Sequence, residues 1–185
     1  MKLVTLFHKK NDVERTRLNE NKKLIVTSRN DFFDYAVALI ESAERSLLAV
    51  DFIPPELWIS DPLVVAYADA HRGLKTFEKQ RIHIYQTETL DAEKKAAYRN
   101  YIELMDTLNI ELFFLEEKLM DTNQFEKRGS LIIDNCCCII VINPDIGAKF
   151  GEIEFNQISI GDYEKRFRTL KKIAKPKADF QLLLT

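Results

Sequence analysis

Three kinds of side chain in this sequence have the types and spacing to do chemistry: a cysteine run, two carboxylate clusters and three histidines. Cys136, Cys137 and Cys138 are consecutive. Successive strand side chains point to opposite faces, so the three cannot close on one metal. Neighbouring cysteines also make poor disulfide partners. The expectation is small buried hydrophobes in a strand, with free thiols suited to a reducing compartment. Glu116-Glu117-Lys118 has the carboxylate-x-lysine spacing of a magnesium-dependent nuclease. Its nearest partner, Asp106, ends the preceding helix, which is the wrong place, so a solvated acidic loop is expected. Glu152 and Glu154 alternate with Ile153 and Phe155. On a half-buried strand both carboxylates are expected to face water, with no neighbour to complete acid–base work. His8, His71 and His83 match no zinc spacing. His71 reads as a helix-end residue, and His83 shares a strand face with Arg81 and Tyr85. No metal or cofactor is expected.

Binding chemistry is better represented. Lys165, Arg166, Arg168, Lys171, Lys172, Lys175 and Lys177 fall on or beside one amphipathic helix. Such a helix can meet the phosphates of nucleic acid or of a membrane surface. Lys9, Lys10, Arg15, Arg17, Lys22 and Lys23 would extend that surface if the two ends of the chain lie together. Phe52-Ile-Pro-Pro-Glu-Leu-Trp58 follows an apolar strand, and ligands of open α/β sheets settle beyond strand carboxyl ends. Glu56 and Trp58 are therefore candidate pocket residues. Gly147 and Gly151, after Pro144-Asp145, read as a turn rather than a phosphate loop.

The elements that position these groups follow from periodicity and punctuation. Leu24–Thr27 is a short apolar strand. Asn30 or Asp31 caps a helix carrying Phe32, Phe33, Ala36, Val37, Leu39 and Ile40. Leu47–Ile53 is a continuous apolar run stopped by Pro54-Pro55, as in a buried parallel strand. Asp61-Pro62 opens a second helix that ends at Arg72-Gly73. Arg81–Tyr85 alternates as a strand, Asp91–Leu108 is a helix stopped by Asn109, and Ile110–Leu115 is a strand. Two strands then flank a tight turn at Asp134-Asn135. Glu152–Phe155 and a helix from Asp162 to about Ala174 complete the series. Helices and strands alternate and strands then run together, which indicates an α/β plan: a three-layer sandwich with a mixed, mostly parallel sheet.

The chain has 185 residues, 46% of them hydrophobic, enough for the core of one domain over residues 24–185 after a polar segment at 1–23. The net charge of −2 excludes a uniformly basic nucleic-acid binder. The bases are concentrated at the two ends and acids in the middle. The apolar run at residues 3–7 is shorter than the roughly 7–15 residues of a secretory signal, and no run reaches about 18, so a cytoplasmic protein is expected.

The order of elements resembles one half of a phospholipase D-like protein. The resemblance rests on Ile40-Glu-Ser-Ala-Glu-Arg-Ser-Leu-Leu-Ala-Val-Asp-Phe52, on Arg72-Gly73 before Arg81–Tyr85, and on Asn109–Leu115 before the hairpin. It covers about residues 30–145. The family's active members use His-x-Lys-x4-Asp followed by Gly-Ser: the histidine attacks phosphorus, the lysine holds the phosphoryl oxygens and the aspartate orients the imidazole. Set on Asp134, the histidine position is Lys127, the lysine position Gly129 and the Gly-Ser position Val141-Ile142. Only Asp134 agrees, and a hairpin turn favours aspartate for its own reasons.

The resemblance therefore implies a non-catalytic binding or regulatory module, with ligand candidates Asp51, Glu56, Trp58, Lys127, Arg128 and Asp134. The anionic-partner candidates are Lys165, Arg166, Arg168, Lys171, Lys172 and Lys175. Single halves of this family commonly pair, which implies a homodimer. The alternatives are a phosphodiester hydrolase or nuclease with an unrecognised site, and a homodimeric protein-interaction scaffold.

Overall fold

The computed structural model describes residues 22–74, 78–87, 90–120, 128–142 and 150–185. Side-chain caps set where its helices begin. Helix α1 (Arg29–Glu41) starts after Ser28, whose hydroxyl accepts the Asp31 N–H at 3.4 Å, earlier than the cap expected at Asn30 or Asp31. A short α2 (Leu57–Ser60) leads into α3 (Pro62–Asp69). Asp61 caps α3 by accepting from Leu63 N and Val64 N, with Pro62 in the first turn where its missing N–H costs nothing. Asp91 caps α4 (Ala92–Thr107) through Lys94 N at 2.8 Å, and Asn109 takes a positive φ of 54° just past its end. Helix α5 (Gln157–Ile173) begins at the Asn156 cap rather than at Asp162. Gly161 lies inside it with nothing near its missing side chain, and the surrounding pattern outweighs the roughly 1 kcal/mol cost of a helical glycine. Helix α6 (Lys177–Gln181) closes the series.

The strands are β1 (Lys23–Val26), β2 (Ser46–Asp51), β3 (Glu78–Tyr85), β4 (Glu111–Glu116), β5 (Gly129–Ile133), β6 (Cys137–Val141), β7 (Gly151–Glu154) and β8 (Lys175–Pro176). They form a mixed eight-stranded sheet in the order β1-β7-β6-β5-β2-β3-β4-β8. The parallel share is smaller than expected, because only β2–β3 and β3–β4 run parallel. The other junctions are antiparallel. Asp134 and Asn135, at φ 52° and 55°, make the tight turn between β5 and β6.

Strand alternation divides the core in two. Leu47, Ala49, Leu112, Phe114, Leu131, Ile133, Cys137 and Ile139 face one side, under α1, α3, α4 and α6. Leu48, Val50, Phe113, Leu115, Ile132, Cys138 and Ile140 face the other, against Ile160, Phe167 and Leu170 of α5. The result is a three-layer α/β sandwich. Gly151 is required where it stands, because a Cβ there would fall on the Phe32 ring. Edge strand β4 is covered by two residues only, Lys175 and Pro176, and the proline has no N–H to offer a further strand.

Candidate functional site

Strand β3 breaks the apolar rule. On the face toward the first core it carries Lys79, Arg81 and His83, all buried. Asp51 ends β2 in register with His83 on the neighbouring parallel strand, so one carboxylate meets two partners. Arg81 Nη1 donates to Asp51 Oδ2 at 2.6 Å, and His83 Nδ1 lies 3.0 Å from Asp51 Oδ1. His83 Nε2 lies 3.3 Å from the Tyr98 hydroxyl, and Arg81 Nη2 donates to the Tyr67 hydroxyl at 3.2 Å. The guanidinium also sits over the Trp58 ring, 4.5 Å from its centroid.

The charges in this cluster support one another. Burial alone would raise the Asp51 carboxyl, but the Arg81 charge and the His83 hydrogen bond outweigh it and hold the group below its ordinary range. Burial pushes His71 down to about 3, helped by the Arg81 charge, so it is a neutral ring whose Nδ1 lies 2.9 Å from the Tyr67 carbonyl. Lys79 turns away from this network and donates to the carbonyls of His71 and Leu108, beyond the ends of α3 and α4. A cation suits carbonyls left open at helix C-termini.

A cavity of about 690 Å³ opens beside the cluster at the carboxyl ends of β2 and β3. Its walls are mostly aromatic and aliphatic, with Phe32, Phe33, Phe52, Tyr85 and Phe150 prominent. Arg29, Asp51, Glu56, Arg81, Lys94 and Glu117 bring charge to it. Helix α1 precedes β2 and α4 follows β3, so both begin at this end of the sheet.

The candidate residues divide between places. Asp51 and Glu56 line the cavity; Trp58 packs behind it, 1% exposed, with Arg81 against its ring. Gly129, on which the resemblance sets the family's lysine, also lines it. Lys127 lies outside the described residues. Arg128 is half-buried on the α5 side, where its carbonyl accepts from Arg166 Nη2 at 3.2 Å. Asp134 is at the far end of β2, about 16 Å from Asp51 at some 3.3 Å per strand residue. There its carboxylate accepts the backbone N–H groups of Glu44, Arg45 and Ser46 at 2.7–2.8 Å and fastens the hairpin turn to the start of β2. The cleft and the hairpin turn are thus separate sites.

Two other expectations change. Glu152 and Glu154 do not face water; both are buried, and Lys23 Nζ lies 2.8 and 3.7 Å from their carboxylates. Cys137 and Cys138 are core residues as expected, but Cys136 is exposed in the turn, and a hydrogen bond with Cys137 lowers its thiol to about 7. Among the described residues no three histidine, cysteine or carboxylate groups are placed to hold a metal. Glu116 bonds Thr87 and Lys118, and Glu117 accepts from the Gln86 amide.

Much of the basic charge of α5 is engaged locally. Arg168 pairs with Glu164, Lys171 Nζ lies 3.7 Å from Glu111, and Lys177 pairs with Asp106. Lys165, Arg168 and Lys172 remain on the exposed face, spaced three and four residues apart, while Phe167 and Leu170 are anchored in the second core. Strands β1 and β8 are opposite edges of the sheet, so Lys22 and Lys23 do not extend the surface at Lys175. Among the described residues no helix is long and apolar enough to cross a membrane.

No protein-family model matches the chain, and no curated protein matches it in sequence. Solved structures do match. One is TrmBL2, an archaeal chromatin protein described as showing a novel mode of DNA binding, at a TM-score of 0.52 and 14% identity. It covers 83% of this chain, which spans 53% of its length. Nuc from Salmonella typhimurium, a phospholipase D family member, matches at 0.51 and 13% identity over 77% of this chain and 88% of its own. NucT from Helicobacter pylori matches at 0.51 and 14% identity over 79% and 91%. At these identities the likeness is one of fold, and the chain has a phospholipase D-like fold.

Proposed function

We propose that the chain is a non-catalytic binding module of phospholipase D-like fold that holds nucleic-acid phosphate against the exposed face of α5. The observation that carries this reading is the row Lys165, Arg168 and Lys172 on a helix whose opposite side is fixed in the core. A row of cations on an already folded helix meets a polyanion without the cost of ordering its backbone. The Arg168–Glu164 pair does not remove its cation from use, because exposed pairs contribute only about 0–1 kcal/mol and yield to phosphate. Among the solved relatives is a DNA-binding chromatin protein, which favours nucleic acid over a lipid surface.

The non-catalytic part rests on the side chains. No histidine follows His83 in the sequence, and both His83 nitrogens lie near partners, Asp51 and Tyr98. The test is titration of labelled duplex DNA at about 50–200 mM salt. The logarithm of the affinity should fall linearly with log salt, and Lys165→Glu with Lys172→Glu should reduce both affinity and slope. Salt-insensitive binding, or none at low salt, overturns the reading. Turnover of a phosphodiester that is lost in Asp51→Asn would overturn the non-catalytic part.

A further inference from the structure

The cavity at the sheet's carboxyl end is a second place where this chain can take a ligand, and its polar groups are unequally satisfied. At about 690 Å³ it falls within the 300–1,000 Å³ of small-molecule sites. Phe32 meets Phe33 and Phe150 edge to face along one wall, and Phe33 lies tilted against Phe150, at ring separations of 5.1–6.4 Å. Such a wall favours an apolar or aromatic guest.

The acceptors deep in the cavity are already used. Asp51 Oδ1 takes His83 Nδ1 and the Ile53 N–H, and Oδ2 takes Arg81. Glu117 holds the Gln86 amide, and Glu56 is exposed to water. Several donors are not used: the Ser130 hydroxyl and the Lys94 ammonium line the cavity without a partner among the described residues, and Arg81 Nε lacks one but is sealed from the cavity. Arg81 is 1% exposed, and its Nε has no acceptor among the described residues. A buried donor left without a partner costs about 1–3 kcal/mol. Lys94 is half-buried and lines the cavity from the first turn of α4, with no carboxylate paired to it among the described residues. The helix dipole disfavours a cation there and favours an anion beside it.

We infer that the cavity binds a small, largely apolar or aromatic carboxylate, its ring among the phenylalanines and its carboxylate toward Lys94. A phosphate group fits less well, because its charge of about −2 would enter a cavity lined by Asp51, Glu56 and Glu117, where Arg29 and Arg81 are already paired with carboxylates.

The test is calorimetric titration of the whole chain with 2-naphthoate, 2-naphthylmethanol and inorganic phosphate. 2-Naphthoate should bind at least tenfold more tightly than the alcohol, and phosphate alone should not bind. Lys94→Ala should remove the preference for the acid while leaving the alcohol's affinity unchanged. Val141→Phe, which narrows the cavity from a half-buried wall position, should weaken binding of both; if that variant fails to fold, Lys94→Ala decides. The Lys165→Glu, Lys172→Glu double variant should bind 2-naphthoate normally, which separates this site from the α5 surface. Absence of 2-naphthoate binding, equal affinity for acid and alcohol, or unchanged binding in folded Val141→Phe would overturn the inference.

Discussion

Asp51 is the residue on which the buried network depends. Among the described residues it is the one carboxylate touching both Arg81 and His83. Asp51→Asn keeps the shape and removes the charge, leaving the guanidinium buried without a counter-ion. Unfolding in urea should show a loss of about 3–5 kcal/mol, the usual result of breaking one side of a buried pair. His71 makes a different demand. Its folded value near 3 lies below the ordinary 6.5, so the unfolded chain binds the extra proton between those values. The stability is present in full above about pH 6.5 and is lost as pH falls toward 3, with a limit on the order of 5 kcal/mol. Asp51, also depressed, loses its contribution only below about pH 4. Urea midpoints measured from pH 7 to 4 should fall, and His71→Gln should flatten that fall. In the sequence Asp51 stood out only as a candidate under the phospholipase D-like resemblance, inside the run Leu47–Ile53. Its partners did not, because they sit on the next strand and register is set only by the packed sheet. For the same reason Arg81 and His83 read as a structural strand face rather than as half of an ion network.

Elements whose boundaries depend on local chemistry were legible. Asp61-Pro62, Asp91, Asn109 and Asp134-Asn135 act where their types require, as caps, a helix stop and a turn. Elements that depend on distant partners were less so. The start of α5 lies before Asp162 because Ile160 packs in the second core, which no local pattern announces. Glu152 and Glu154 are buried because β7 lies between β1 and β6 and meets Lys23, an arrangement invisible from alternation alone. The β5–β6 hairpin yields a prediction at this scale. Its turn is tied to the start of β2 by three backbone N–H groups converging on the Asp134 carboxylate. Asp134→Ala removes these acceptors and places a Cβ-bearing, non-polar residue at φ 52°. Thermal unfolding should show destabilisation of about 2–4 kcal/mol with 2-naphthoate binding retained, because the cavity is at the other end of the sheet.

At the scale of the molecule, two faces of one sheet do different work. The first face holds the polar network and the cavity, and the second is covered by α5, whose outer side carries the proposed phosphate contacts. The sheet runs from β1 at one edge to β8 at the other, with segments far apart in sequence as neighbours. Among the described residues β1 pairs with β7 alone, with Lys23 opposite Glu154 and Val26 opposite Gly151. A chain emerging residue by residue therefore holds β1 without a partner until nearly all of the sheet has been made. Closing so long a loop is entropically unfavourable, so β1 should dock after β2, β3 and β4 have assembled from nearer neighbours. Its amides should exchange with deuterium sooner than those of β2, and a pulse-labelled refolding experiment should protect β1 last. Late docking would also make Lys23 the last charge to arrive, leaving Glu152 and Glu154 without their cation through most of assembly.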